Sequence, residues 1–311
     1  MKHSLLSILL VCGACTSPDG ELLGETSQNG MSMNGLSLNG ISLNGISMNG
    51  TSMAGASLSG VGVAGTSASG LPVVVSLLSG PPLSGAGLVG STWIGTTYDG
   101  APVKLRIDAA AAGAAPNTDL WFYSVSYQTG ASWSPLCGLD AAKHAVQAVS
   151  VAGVWRSVPG DLASYGASAT QFTLACRGKT IAKCVELGYK PYRGHATQLA
   201  SCVRLLRGDF CGNGVAYTID GNLLNLYDNV GVQADTEAWD AEAEWGPSGA
   251  RCINSHNAAR YELTVSQDPS CVKHEETSSC GRSFANGAVL IDELSPTVVT
   301  QIQAAAALQQ R

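Results

Sequence analysis

The chain has 311 residues, enough for one large domain or two smaller ones, and a net charge of −6 with only 17 Lys plus Arg. No basic block occurs anywhere along it, so nucleic acid is not an expected partner. Charged residues are sparse at 13%, aromatics stand at 6% and glycines number 37, a balance that points to a turn-rich β architecture.

Residues 1–15 read as a targeting segment. Lys2 supplies a small positive start, and the apolar run from Leu5 to Val11 is too short to span a bilayer as a permanent helix. Cys12-Gly13-Ala14-Cys15 closes the run, and the small residues before Cys15 resemble a bacterial lipobox, in which that cysteine is lipidated and becomes the mature N-terminus. Cys12 stands where Leu is usual. Thr16 follows Cys15, and the lack of Asp there resembles outer-membrane sorting. The expectation is an exported lipoprotein of the outer membrane or cell surface, partnered with the lipid membrane through Cys15. Cleavage after Ala14 and free secretion is the alternative. Cys12 and Cys15 also form a CxxC, but no βαβ pattern surrounds it, which speaks against a redox pair.

Residues 16–87 carry a five-residue Gly/Ser/Asn repeat, as in ISLNGISMNG. Gly recurs every fifth position from Gly30 to Gly70, misses at Val75 and returns from Gly80 to Gly100; Met33, Leu38, Leu43, Met48 and Met53 each sit two positions before a Gly. A period of five fits neither an α-helix nor a flat strand. It fits a square coil, and the segment is similar to pentapeptide-repeat proteins, which form a right-handed quadrilateral β-helix. Burying one Leu-sized side chain gives about 1.5–3 kcal/mol, whereas ordering five backbones costs roughly 1–2 kcal/mol each. A flexible stalk is therefore the open alternative. Either form is a spacer.

Residues 88–285 are expected to form an α+β, disulfide-rich domain. Short strands are predicted at GSTWIG, PVKLRID, LWFYSVSYQ, AVQAVSVAGVW and FTLAC. Two helices follow, roughly Lys179 to Leu187 with Gly188 as a stop, and His195 to Arg207 with Leu199, Cys202, Val203 and Leu206 at helical spacing. Pro191 between them forbids one continuous helix. Asp220-Gly221 reads as a hairpin turn before LLNLY. Residues 286–311 form a partly helical tail, with Ser295 as N-cap and Pro296 as first residue.

RLLRGDFCGNG and the following TIDGNLLNLYDNVG, together with FTLACRG, AKCVELGYKPY and EAEWGPSGARC, resemble the signature of the ADYC-domain family, exported bacterial proteins of uncharacterised function. The family takes its name from an Ala-Asp-Tyr-Cys run, matched here by Gly208, Asp209, Phe210 and Cys211. The resemblance covers roughly Leu88 to Cys280 and implies an export route but no known reaction.

Removing Cys12 and Cys15 from the ten cysteines leaves Cys137, Cys176, Cys184, Cys202, Cys211, Cys252, Cys271 and Cys280. An even number in an exported chain argues for four disulfides, with about 105 connectivities open. Cys184–Cys202 is expected because both lie on facing sides of the helix pair, and Cys271–Cys280 because it closes a short polar loop. The mature chain lacks any CxxC, so no structural metal is expected.

Candidate chemistry is thin. His195 and Cys202 lie two helical turns apart, about 10 Å, too far for a nucleophile pair. Arg207-Gly208-Asp209 spells the adhesive RGD tripeptide, yet it follows a helix end, where Arg serves the dipole and Asp the turn. Glu237, Asp240, Glu242 and Glu244, interleaved with Trp239, could serve glycoside hydrolysis or a sugar face; the blander alternative is a solvated strand or loop edge. No cofactor is expected, the alternative being calcium held by Asp209, Asp220 and Asp228 with Asn213 and Asn222. The sequence does not determine the function. It favours a surface-anchored lipoprotein with a non-enzymatic binding or structural role towards an unidentified envelope or surface ligand. The alternative is an exported hydrolase whose acids come from Asp209 and the Glu237–Glu244 run.

Overall fold

A computed structural model describes residues 31–32, 35–37, 58–69, 71–74, 80–97, 102–158, 161–168, 171–214, 223–254, 256–257, 260, 275–276, 280–281, 283–284, 287–296 and 299–300. The signal with Cys15, most of the repeat and with it the choice between coil and stalk, the Asp220-Gly221 turn, Cys271 and most of the C-terminal tail lie outside these residues.

The strands are β1 (Met31–Ser32), β2 (Gly35–Ser37), β3 (Leu58–Thr66), β4 (Pro72–Val74), β5 (Thr92–Thr97), β6 (Pro102–Ala112), β7 (Trp121–Thr129), β8 (Ser132–Pro135), β9 (Ala148–Ala152), β10 (Val154–Val158), β11 (Asp161–Gly166) and β12 (Gln171–Cys176). Helices α1 (Thr180–Glu186) and α2 (Ala196–Arg207) follow, then β13 (Leu223–Asp228), β14 (Ala241–Gly246), β15 (Gly249–Ile253), β16 (Glu275–Glu276) and β17 (Leu290–Leu294). The molecule is α+β and disulfide-rich, and β-sheet dominates it.

The first sheet runs β12-β9-β7-β6-β5-β3, and β12 pairs back onto β3 through Gln171–Gly62 and Phe172–Val61. That last pairing turns six antiparallel strands into a closed ring. β8 adds to β7, β4 adds to β3, and β10–β11 form a hairpin beyond β9 and β12. Residues 58–66 thus belong to the ring although they precede Leu88.

Alternation along the strands decides which core each side chain joins. From β7, Tyr123, Val125 and Tyr127 point into the ring, where they meet Trp93, Leu105, Ile107, Phe172 and Leu174. Phe122 from β7, Val149 and Val151 from β9, and Ala175 from β12 point outward and join a second core with the helices. The outer side of that layer is a sheet in the order β1-β2-β13-β17-β14-β15-β16. Its Leu224, Leu226, Ala243, Trp245, Ile253, Leu290 and Leu294 close the second core from the far side.

The helices stand where the periodicity puts them. Leu199, Cys202, Val203 and Leu206 of α2 are all buried, and a 3-10 turn at Pro191–Arg193 separates α1 from α2. Gly208 caps α2 in the left-handed region, φ 61°, with Gly208 N–H donating to Leu205 and Asp209 N–H to Arg204. Beyond β17, Val299 N–H donates to the Ser295 carbonyl in a helical turn.

Three disulfides are formed among the described residues: Cys137–Cys176, Cys184–Cys202 and Cys252–Cys280. The helix-pair bridge matches its expectation. The Cys271–Cys280 expectation is corrected: β16 runs parallel to β15, with Cys252 opposite Glu275, and so the turn at Cys280 is delivered to Cys252. A short loop in sequence was outweighed by a strand pairing. Cys211 is disulfide-bonded as well.

Candidate functional site

The signature residues form a clasp inside the fold. Asp209 and Phe210 are wholly buried. The Asp209 carboxylate pairs with Arg204 on α2 through Oδ2, which also accepts the Gly214 N–H at 3.0 Å. The Phe210 ring lies 4.9 Å from that of Trp245, and the Phe210 carbonyl accepts the Ala250 N–H at 3.0 Å. Gly212 rests so closely on the β14–β15 turn that a Cβ there would stand 1.9 Å from the Ser248 carbonyl oxygen. RLLRGDFCGNG and EAEWGPSGARC, far apart in sequence, are therefore two halves of one joint. Arg207 is buried too, so the RGD tripeptide is not an exposed tip.

The acidic run divides. Glu237 is half-buried and Asp240 exposed, but Glu242 and Glu244 are wholly buried, which corrects the expectation of a solvated edge for these two. The cause is position: β14 is a central strand between β17 and β15. Arg260 neutralises Glu242 through Nε at 2.7 Å and also pairs with Asp292. Trp245 Nε1–H donates to Asp292 at 2.7 Å. Burial first, and the charge of Glu242 second, push the Asp292 carboxyl well above the usual range. Glu244 accepts the Gly281 N–H at 2.9 Å and lies with Cys252 and Cys280 inside 4.8 Å. Those two sulfurs are joined to each other, which removes the thiolates a metal would need.

The remaining candidates are dispersed. Cys202 is bridged to Cys184, and His195, at the N-cap position of α2, turns its side chain away from that helix, with Nδ1 3.3 Å from the Gly188 carbonyl after α1. Asp228 organises its own loop, accepting the N–H groups of Val230, Val232 and Gln233 and the Tyr189 hydroxyl at 2.9 Å. Asp209 and Asp228 thus serve separate networks, and Asp220 and Asn222 lie outside the described residues. Two acids that carried no sequence signal do come together: Asn225 donates to Asp235 at 3.0 Å and to Glu293 at 3.1 Å. Burial, ahead of the Asp235 charge, raises the Glu293 carboxyl. Asp119 gathers Lys190 at 2.5 Å, Arg193 at 2.7 Å and the Tyr192 hydroxyl at 2.8 Å.

Among the described residues a cleft of about 970 Å³ opens between the β8–β9 connection and the β12–α1 turn, lined by Ser124, Lys143, His144, Gln147, Arg177 and Glu186, among others. One wall is a tight loop. Lys143 N–H donates to the Asp140 carbonyl at 2.9 Å and Asp140 N–H to the His144 carbonyl at 2.8 Å, while Asp140 Oδ1 accepts the His144 N–H at 2.8 Å. This geometry holds Lys143 at φ 65°, a region that costs a side-chain-bearing residue about 1–2 kcal/mol. The other wall carries Arg177, whose guanidinium lies 3.9 Å over the Phe122 ring and reaches Glu186 through Nη2 at 2.9 Å and Nε at 3.2 Å. The walls are fastened together by Cys137–Cys176 and by Arg177 N–H donating to the Gln147 carbonyl at 2.8 Å. Sequence reasoning passed over this loop, since only its flanking cysteines marked it.

A family model described as the ADYC domain matches residues 85–259. No curated protein and no solved structure matches the chain.

Proposed function

The chain belongs to the ADYC domain family, and from that premise we propose that it is a surface-anchored lipoprotein whose domain is a non-enzymatic binding head. Its binding site is the cleft between the β8–β9 connection and the β12–α1 turn. The lipobox-like end at Cys15 supports the anchor, and the repeat supplies the spacer that carries the head away from the lipid. The observation that carries the binding role is the covalent fastening of the two cleft walls by Cys137–Cys176. A cleft fixed in shape before a ligand arrives saves the ordering entropy that binding otherwise costs. Placing a lysine where glycine is cheap fits the same purpose: strain is held where a side chain is needed.

The hydrolase alternative finds less support. Asp209, Glu242 and Glu244 are each enclosed and committed to a cation or to backbone N–H groups, so none can reach a substrate without opening the core.

The test is thermal unfolding of the detergent-extracted full chain in the presence of fractionated envelope polymers. A ligand that binds the folded cleft raises the midpoint in a concentration-dependent way, and Lys143→Gly reduces that rise. A rise untouched by Lys143→Gly and Gln147→Ala places binding elsewhere, and steady turnover of any fraction overturns the non-enzymatic role. Intact mass of the same preparation reports the anchor: a lipid-sized increment on a chain starting at Cys15 supports it, and an unlipidated chain refutes it.

A further inference from the structure

Resting on that assignment of the cleft, we propose that its ligand is an acidic polysaccharide, a glycan bearing carboxylates, laid along the outward face of β7. Even-numbered residues of β7 point away from the ring. Ser124 lines the cleft and Gln128 is half-buried. Phe122 and Ser126 of the same row, about 7 Å per step, are buried, Phe122 beneath the Arg177 guanidinium. The ligand therefore lies over the arginines that cover this row. The row ends where β8 lies beside β7, with Gln128 opposite Trp133. At one end the Arg177 guanidinium stacks on Phe122 at 3.9 Å; at the other the Arg106 guanidinium stacks on Trp133 at 4.4 Å. The two stacks stand about 20 Å apart by strand rise.

Both arginines are held by a carboxylate, Arg177 by Glu186 and Arg106 by Asp108 at 2.5 Å. Asp108 is itself fixed by the Ser126 hydroxyl. Each guanidinium is thereby oriented while its side chain stays about two-fifths exposed, 40% and 38%. Lys104, exposed and on the same face of β6 as Arg106, and Lys143 on the cleft rim add two cations to the two arginines, set against the carboxylates of Asp108, Asp140 and Glu186. Glu186 holds Nε and Nη2 of Arg177 and Asp108 holds Nε of Arg106, so a glycan carboxylate meets the guanidinium N–H groups that these pairs leave over. The half-buried Trp133 and the exposed Ile94, opposite Lys104 in the pairing of β5 with β6, offer apolar surface to the C–H faces of sugar rings. Ser124, Gln128 and Gln147 supply polar partners for hydroxyls. The cations fall in two groups, Arg177 with Lys143 at the cleft and Arg106 with Lys104 on β6, and a long polymer reaches both where a small anion reaches one.

The experiment is calorimetric titration of the full chain at low salt with polygalacturonate, with trigalacturonate, with neutral dextran and with polyphosphate. The expected result is that the long acidic glycan binds at least about tenfold more tightly than the trimer, and dextran does not bind. Arg106→Ala and, separately, Lys104→Ala weaken the polymer while leaving the trimer unchanged. Lys143→Gly weakens both. Equal binding of polymer and trimer, with Arg106→Ala and Lys104→Ala neutral, overturns the track along β7 while leaving the cleft as a site. Preference for polyphosphate overturns the assignment to a carboxylate glycan. No binding of polygalacturonate overturns the proposal outright, and the thermal-shift experiment with envelope fractions then decides separately whether the cleft binds anything.

Discussion

Gly212→Ala adds one methyl group to the joint between the turn after α2 and the β14–β15 hairpin, and the structure sets its effect. The new Cβ stands 1.9 Å from the Ser248 oxygen, 2.6 Å from its carbon and 3.3 Å from the Gly249 nitrogen. Backbone atoms on both sides must therefore separate by roughly 1.5 Å to reach ordinary contact. A backbone φ of +62° at this position costs an alanine about 1–2 kcal/mol, and forced overpacking costs about 1–3 kcal/mol. Losing the bond from Ala250 N–H to the Phe210 carbonyl costs about 1 kcal/mol more. A loss of about 3–5 kcal/mol follows, since these contributions overlap. The control is Gly194→Ala, where φ is +84° and nothing lies within 4 Å, so only the backbone cost of about 1–2 kcal/mol applies. Urea unfolding of both variants, disulfides intact, gives the difference directly. Should Gly212→Ala lose no more than Gly194→Ala, the two signature stretches are not pressed together and the clasp is wrong.

Arg204→Met removes the ion-pair partner of the wholly buried Asp209, with the charge of Arg207 still acting on it, and is expected to cost about 3 kcal/mol in the same urea assay, the low end for a broken buried pair. Lys143→Gly relieves the left-handed backbone and is expected to raise stability by about 0.5–1 kcal/mol, read as a higher thermal midpoint, even as ligand binding falls. Burial opposes the charge of Asp119, yet hydrogen bonds from Lys190 and Tyr192 and the charges of Lys190 and Arg193 hold its carboxyl below 3.8. A depressed folded value means its stabilisation is present above 3.8 and lost as pH falls, so Asp119→Asn should cost more at pH 7 than at pH 3 in parallel denaturant titrations. Asp292 has the opposite sign: its raised carboxyl favours the folded state most below 3.8, and that contribution fades as pH rises. Asp292→Asn should accordingly cost more at pH 4 than at pH 8.

The helical parts were legible because their information is local. Leu199, Cys202, Val203 and Leu206 repeat at helix spacing, Gly188 and Pro191 interrupt, and the facing cysteines 184 and 202 then have little choice of partner. The strand at Phe172 was equally plain from its apolar run. What escaped was fixed by pairings between distant segments. Glu242 reads as a surface acid until Arg260, 18 residues on, and Asp292 arrive beside it. Cys280 prefers Cys252 only once β16 lies along β15. The cleft depends on a left-handed Lys143, and nothing about a lysine in sequence announces that backbone. The closing of the ring by β3 was hidden for a different reason: the same Gly-rich period that suggested a spacer continues through Gly60 and Gly65 into a paired strand.

That closure carries a practical warning about cutting the protein. A fragment trimmed to the matched stretch, 85–259, leaves behind β3 on one side and Arg260 and β17 on the other. The edges of β5 and β12 then stand bare, inviting pairing with neighbouring chains and precipitation, and β14, stripped of β17, becomes an edge whose Glu242 has lost its counter-ion. A half-finished cylinder of this kind is open to repair from outside. A synthetic peptide spanning residues 58–66 is expected to pair with both bare edges as β3 does, read as less precipitation of the fragment.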